Sequence, residues 1–284
     1  MFDTIKFNIP YSDDLFDDFR KGGNILKSSD SVGFTQEFKV YEAIEIPPYQ
    51  RTVQLYSREI PFGKRGLYLE FSIPKLLHGT NVYLANIFEL ETLFEKIYQI
   101  IKSKYKLFPP TKLWTVQRLD ICYFWKFTSP EIAQRHLDFI KFIEYPRKNR
   151  HFYKTTAMFS GRNFTLRFYI KKPEYLMSDY KVLKYDFEDE AQKGLDYCQN
   201  MIRFEVEIRK PELFRIFKKD VQIPDLLNED FYIKKLQYYL STYNFPKKIN
   251  PSLKKFEIFQ NVFSVPTNTI ELSRGRQPRT QAVM

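Results

Sequence analysis

Four stretches of this chain alternate apolar and polar residues with a period of two, and three of them place acids on the polar side. Leu67, Leu69, Phe71 and Ile73 alternate with Tyr68, Glu70 and Ser72. Leu119, Ile121 and Tyr123 alternate with Arg118, Asp120 and Cys122. Phe164, Leu166, Phe168 and Ile170 alternate with Thr165, Arg167, Tyr169 and Lys171, and Phe204, Val206 and Ile208 with Arg203, Glu205, Glu207 and Arg209. Such a period puts one set of side chains in a core and the other on the opposite sheet face. Ile5, Phe7 and Ile9 read as a fifth strand.

Asp, and to a lesser degree Glu, is depleted in strands, so Glu70, Asp120, Glu205 and Glu207 on pleated positions need a cause. One cause is cross-strand pairing, as of Arg118 with Glu207 or Arg203 with Glu205. The other is a cation, because clustered carboxylates repel one another unless a positive charge neutralises them. Oxygen donors without His or Cys suit Mg²⁺ or Mn²⁺. Tyr169 lies on the same polar alternation, with Arg167 and Lys171 two residues to either side. Those cations are expected to favour its phenolate, a nucleophile for phosphoryl chemistry, and to stabilise charge building on phosphate.

Helix signals fall between the strands. Asn86 with Glu89 makes a capping box before Leu90, Leu93, Phe94, Ile97, Ile100 and Ile101. Ser129-Pro130-Glu131 opens a helix through Ile132, Leu137 and Ile140. A third helix is expected through Phe231, Leu236, Tyr239 and Leu240. The fold class predicted is α+β, a central antiparallel sheet with helices packed on one face. The chain reads as one catalytic unit over residues 1–264, with a helical extension from about 222 that could cap the domain or read DNA, as Lys247, Lys248, Lys254 and Lys255 hint. A basic, flexible tail is expected over 265–284.

Lys and Arg number 45 against 34 Asp and Glu, a net charge of +11 in 284 residues, which favours a polyanionic partner. Between Lys141 and Lys172 nine bases meet one acid, Glu144, with Phe142, Tyr145, Phe152, Tyr153, Phe159, Phe164, Phe168 and Tyr169 interleaved. Bases that neutralise phosphate and rings that stack on nucleobases are what a single strand of nucleic acid requires. Lys148, Arg150, Lys154, Arg162 and Lys172 are the DNA-binding residues expected here. The alternative is a solvated basic face with its rings turned into the core. No apolar run reaches the ~18 residues of a membrane span, and two cysteines make no disulfide framework, so no membrane and a cytoplasmic location are expected.

Several of these segments look familiar. Gly66 to Lys75, with Leu77-His78-Gly79-Thr80-Asn81-Val82, resembles a stretch of the gene II/X replication initiators of filamentous phages. So do Thr115 to Asp120 and Ile202 to Arg209. Ser160 to Lys172 is similar to the active-site tyrosine strand of Rep_trans-type plasmid initiators, with its Gly-Ser-Arg approach and Tyr-x-Lys core. The resemblance spans roughly residues 60 to 215 in four islands. It implies a rolling-circle replication initiator with an HUH-endonuclease-like fold, in which Tyr169 is the nucleophile and Asp120 and Glu205 are metal ligands. Glu70 or Glu207 would complete the metal site. Glu207 departs from the phage pattern, which has a base there, and suits the plasmid one. No two histidines among His78, His136 and His151 have the spacing of a true HUH motif, so carboxylates would take their place.

The expected activity is site-specific, metal-dependent nicking and rejoining of origin DNA through a 5′-phosphotyrosine. Partners would be single-stranded or hairpin origin DNA and a host helicase or polymerase, in a bacterial host cytoplasm if the gene is a phage's or plasmid's. Two rivals predict different residue dependence. A non-catalytic origin-binding protein needs no acid, and a nuclease that uses water needs the acids without Tyr169.

Overall fold

The computed structural model describes residues 2–22, 24–28, 37–60 and 64–242, and the structural statements below concern these. Their strands are β1 (Phe2–Ile9), β2 (Asn24–Ser28), β3 (Glu37–Ile46), β4 (Arg51–Ile60), β5 (Lys64–Ser72), β6 (Thr115–Lys126), β7 (Asn149–Tyr153), β8 (Thr156–Ser160), β9 (Phe164–Ile170) and β10 (Met201–Arg209). They form one sheet in the order β2-β3-β4-β5-β1-β6-β10-β9-β8-β7, and every neighbouring pair is antiparallel. The helices are α1 (Asp13–Gly22), α2 (Ile73–His78), α3 (Leu90–Lys104), α4 (Pro130–Ile140), α5 (Lys171–Met177), α6 (Asp179–Asp186), α7 (Glu188–Tyr197), α8 (Lys210–Phe217), α9 (Ile223–Leu226) and α10 (Glu229–Ser241). The fold is α+β with an antiparallel sheet, as the alternation predicts.

The period-two pattern sorts the central strands as expected. Phe7, Leu69, Leu119, Ile121, Leu166, Phe168, Phe204 and Val206 are buried in one core. Leu93, Phe94 and Ile97 of α3, Leu137 and Ile140 of α4, and Tyr232 and Leu236 of α10 belong to the same core. Both expected caps form. Asn86 Oδ1 accepts from Glu89 N at 3.1 Å and the Glu89 carboxylate accepts from Asn86 N at 3.1 Å. Ser129 Oγ accepts from Ile132 N at 3.3 Å. Ile73 and Lys171, which the alternation assigns to strands, instead begin α2 and α5. Pro74 and Pro173 follow them closely, and proline cannot donate to a strand ladder.

The opposite face is not bare. Met201 and Phe124, on its alternation, join Val82, Tyr175 and Cys198 in a second apolar cluster beneath α5 and α7. Helices therefore stand over one end of the polar face as well, an arrangement that strand periodicity does not reveal. Asp179 ties this cap together, accepting from Thr80 Oγ1 and Asn81 N at 3.1 Å each and pairing with Lys75 Nζ at 2.8 Å. Gly79 makes the turn into that loop with φ +73°, and a Cβ there would meet the Tyr49 ring at 2.8 Å. Left-handed backbone of this kind favours glycine. The expected boundary near residue 264, the tail from 265 and Lys247, Lys248, Lys254 and Lys255 lie outside the described residues.

Candidate active site

The uncovered part of the polar face is the floor of a cleft of about 850 Å³. Asp3 of β1, Glu70 of β5, Arg118 and Asp120 of β6, Glu205 of β10, and Arg167 and Tyr169 of β9 all line it. Glu174, Met177 and Ser178, from α5 and the residue after it, stand over one side. Five of the sequence-predicted site residues, Tyr169, Arg167, Asp120, Glu205 and Glu70, thus reach one cleft from four strands. Their register explains it: Glu207 pairs with Asp120, Glu205 with both Cys122 and Arg167, and Tyr169 with Arg203.

Tyr169 is half-buried and its hydroxyl donates to Glu205 Oε2 at 3.3 Å. Burial pushes its phenol well above the usual tyrosine range, the Glu205 charge adds to the rise, and Arg203 opposes it. The expected phenolate is therefore not favoured at rest, because the flanking cations are engaged elsewhere. Arg167 donates to Glu205 Oε1 and to Glu207 Oε2, each at 2.7 Å. Lys171 is fully buried at the start of α5, where its ammonium donates to Asn81 Oδ1 at 2.6 Å and bonds Glu174. Its Nζ stands 5.7 Å from the Tyr169 ring centroid, against the ring face and not beside the hydroxyl.

The acids divide by environment. Burial pushes the Asp120 carboxyl up to about 8, against the Arg118 hydrogen bonds, and the Glu205 charge adds to the rise. Glu205 is raised by burial and by Asp3, with Arg203 and Arg167 opposing. Burial would raise Glu207 too, but Arg118, Arg167 and Arg209 together hold it below the ordinary range. Glu207 does not line the cleft. Glu70 accepts from Tyr56 at 3.2 Å and faces Arg118 at 3.5 Å. Cross-strand pairing thus accounts for Glu207 in full. The expected pairing of Arg203 with Glu205 is replaced by one with Asp3, at 2.9 Å.

Asp120 and Glu205 remain as two buried carboxylates, each holding its proton more tightly because of burial and a neighbouring acid. Such a donor set fits a hard divalent cation, and Mg²⁺ in particular needs only one or two carboxylates when water and phosphate oxygens complete its shell. Among the described residues no group of three or more His, Cys, Asp or Glu side chains gathers as a metal cluster. Neither Glu70 nor Glu207, the expected third ligand, therefore joins Asp120 and Glu205 in such a group.

Asp120 makes a prediction about stability. Below its unfolded value near 4 both folded and unfolded chains hold the proton, so its contribution is fully present. As pH rises the unfolded chain releases the proton first, and that stability is lost as pH passes through about 8. The slope reaches at most about 1.4 kcal/mol per pH unit. In metal-free buffer the melting temperature of wild type should fall more between pH 5 and 8 than that of Asp120→Asn.

The predicted DNA-binding residues are dispersed. Lys148 is tied down, donating to the Phe164 carbonyl at 2.6 Å, and burial lowers its ammonium to about 8. Arg150 pairs with Glu144 at 3.3 Å, and Lys172 donates to Gln199 at 2.9 Å. Lys154 and Arg162 are exposed, at opposite ends of the β7–β8–β9 ribbon. Of the interleaved rings, Tyr145, Phe159 and Phe168 are core, while Phe142, Phe152 and Tyr153 are exposed. Neither reading of that stretch holds alone.

Sequence reasoning missed Asp3, Asn81, Arg51 and Lys75 in the cleft. Asp3 escaped because β1 slips register between Phe2 and Ile5 on its β6 side, which breaks the alternation at that point.

No curated protein and no solved structure matches this chain. A family model, that of the N-terminal region of the phage gene II replication-associated protein, matches residues 1–230. No described helix is long and apolar enough to cross a membrane. With four fifths of its length matched, this chain belongs to that family of replication-associated proteins, the gene II-like rolling-circle replication initiators.

Proposed function

We propose that the chain nicks and rejoins one strand of origin DNA, with Tyr169 as nucleophile. The observation that carries this reading is the hydrogen bond from the Tyr169 hydroxyl to Glu205 Oε2, 3.3 Å long, inside an open cleft. A phenol whose affinity for its proton is raised must lose it as it attacks, and Glu205, itself raised, is a carboxylate suited to take it.

In the forward step the Tyr169 oxygen bonds to the scissile phosphorus and the bond from phosphorus to the 3′ oxygen breaks. The proton held at Glu205 passes to that oxygen, leaving a free 3′-OH and a 5′-phosphotyrosine. The reverse transfer rejoins ends without an external energy source, since one phosphodiester replaces another. Arg118 and Arg167, lining the same floor, offer guanidinium groups to the phosphate charge. Asp120 and Glu205 would hold Mg²⁺ or Mn²⁺. Bound there, the cation would polarise a phosphoryl oxygen. Glu205 Oε2 faces Tyr169, while Oε1 accepts from Arg167, a contact that a cation held at Glu205 would have to share or displace.

The test is a denaturing gel of labelled single-stranded phage-origin DNA incubated with wild type, Asp120→Asn and Glu205→Gln, in Mn²⁺ or in EDTA. A protein-linked band is expected with wild type in Mn²⁺ alone, and both variants should reduce it at least about a hundredfold. Equal linkage in EDTA would remove the metal from the account, and equal linkage by Glu205→Gln would remove the base.

A further inference from the structure

The cleft face does not stop at Tyr169. Tyr169 pairs with Thr156 of β8, and Thr156 pairs with Tyr153 of β7, so all three side chains share one face. The next row runs from Arg167 through Met158 to His151 on the same face. Thr155 and Thr156 line the cleft itself. Two strand spacings put the Tyr153 backbone about 10 Å from that of Tyr169, close enough for one DNA strand to touch both.

This extension is built to be exposed. All five residues of the edge strand β7 are exposed. Phe152, on the opposite face, is explained by its packing edge-on against Phe159 at 5.7 Å between centroids. Tyr153 has no such account: it is 62% exposed, and no ring or hydrogen-bond partner engages it among the described residues. The turn that follows the strand is nonetheless tied to the nucleophile's own strand and to α4. Ile170 N donates to the Thr155 carbonyl at 3.0 Å, and the Lys154 carbonyl accepts from Gln134 at 3.1 Å and Lys141 at 3.3 Å. His151 Nε2 sits 3.0 Å from Ser160 Oγ, which fixes its ring beside Met158 on the same face. From Asn149 to Ser160 there are two bases, Arg150 and Lys154, and no acid.

We propose that this part of the face is a stacking platform for an unpaired base of the DNA strand held at Tyr169, with Tyr153 as the stacking ring and His151 beside it. The proposal rests on the nicking reading and adds the feature that would favour single-stranded over duplex DNA. Aromatic rings stack on any base and need the base exposed, whereas a duplex would offer only phosphates, to cations such as the exposed Lys154. A second copy of the chain pairing with the open edge of β7 is the competing occupant. Asn149, His151 and Tyr153 put no acid on that face of the strand, which fits a phosphate backbone better than another basic chain.

The test uses the full chain and fluorescein-labelled (dT)₂₀ in metal-free buffer, read by anisotropy, for wild type, Tyr153→Ala, Tyr153→Phe and Tyr153→Trp. Tyr153→Ala should weaken binding about tenfold. Phe and Trp, which keep a ring, should bind within about twofold of wild type or more tightly. Affinity for a 20-base-pair duplex should not change with any of them. Equal (dT)₂₀ binding by Tyr153→Ala and wild type overturns the platform, as does a change in sedimenting mass for Tyr153→Ala with DNA binding intact, which would assign the edge to a second copy. Protein-linked product is scored on the same preparations. If wild type links origin DNA while Tyr153→Ala binds (dT)₂₀ normally, the platform alone fails. If Tyr153→Ala loses (dT)₂₀ binding but wild type links nothing, nicking fails and the platform stands as a single-strand grip.

Discussion

Tyr169→Phe is expected to abolish the protein-linked DNA product, by a factor on the order of a thousandfold or more, since it removes the one atom that forms the new bond to phosphorus. The ring stays, so the packing of β9 should hardly alter. The variant loses one hydrogen bond, 3.3 Å long, to Glu205, a change worth about 1–2 kcal/mol. Melting temperature and affinity for single-stranded DNA should therefore stay close to wild type while nicking and rejoining vanish together. Rejoining is tested separately by supplying a pre-nicked strand, because the reverse transfer needs the same oxygen. Cleavage that persists in Tyr169→Phe without a linked species would favour a water-using nuclease, and tight binding with no cleavage by wild type would favour an origin-binding protein without chemistry.

The second large effect is structural. Arg203→Met should destabilise the protein by about 3–5 kcal/mol, the cost of leaving a buried charge without its partner. Arg203 is fully buried on the polar alternation of β10, next to Tyr169 in register. Its Nη2 donates to Asp3 Oδ2 at 2.9 Å and to Cys122 Sγ at 3.0 Å, and its Nη1 bonds the Asn81 carbonyl. Burial alone would raise the Asp3 carboxyl, but Arg203 first and Lys171 second keep it ionised. Removing the guanidinium leaves a carboxylate in the interior beneath the cleft, with Ser72 Oγ at 3.0 Å as its remaining hydroxyl donor. In a chain of this length the loss should lower the melting temperature by on the order of 10 °C. Asp3→Asn combined with Arg203→Met should recover part of it, because neither charge is then stranded. If Arg203→Met melted like wild type, the buried pair would not hold β1, β10 and the Asn81 loop together.

Much of the sheet was legible because its central strands are two-sided, with one face in the core and one toward the cleft. That contrast produces the alternation at Leu119–Tyr123 and Phe204–Ile208, and from it the placement of Asp120, Tyr169 and Glu205 on one face follows. The strands β3 and β4, running from Glu37 to Ile46 and from Arg51 to Ile60, were not read, although Arg51 lines the cleft. Alternation also misled wherever the face is capped. It marks Arg203 and Lys171 as solvent-side, yet α5 and the Asn81 loop cover them, so two expected surface cations are interior ones. The acids were visible as anomalies, but which of them is neutralised depends on register. Glu207 meets Arg118, Arg167 and Arg209, and Asp120 and Glu205 do not share that relief in full. Pairing across strands that lie far apart in sequence is a property of topology, and no local pattern encodes it.

The nucleophile is the centre of this account, and peptide mapping addresses it most directly. Wild type would be incubated with single-stranded phage-origin DNA and Mn²⁺, denatured, trimmed with nuclease and protease, and examined by mass spectrometry for a nucleotide-modified peptide. A phosphodiester-linked nucleotide on Tyr169, attached through the 5′-phosphate, is the predicted result. Modification at any other tyrosine, or cleaved DNA with no modified peptide at all, would contradict it.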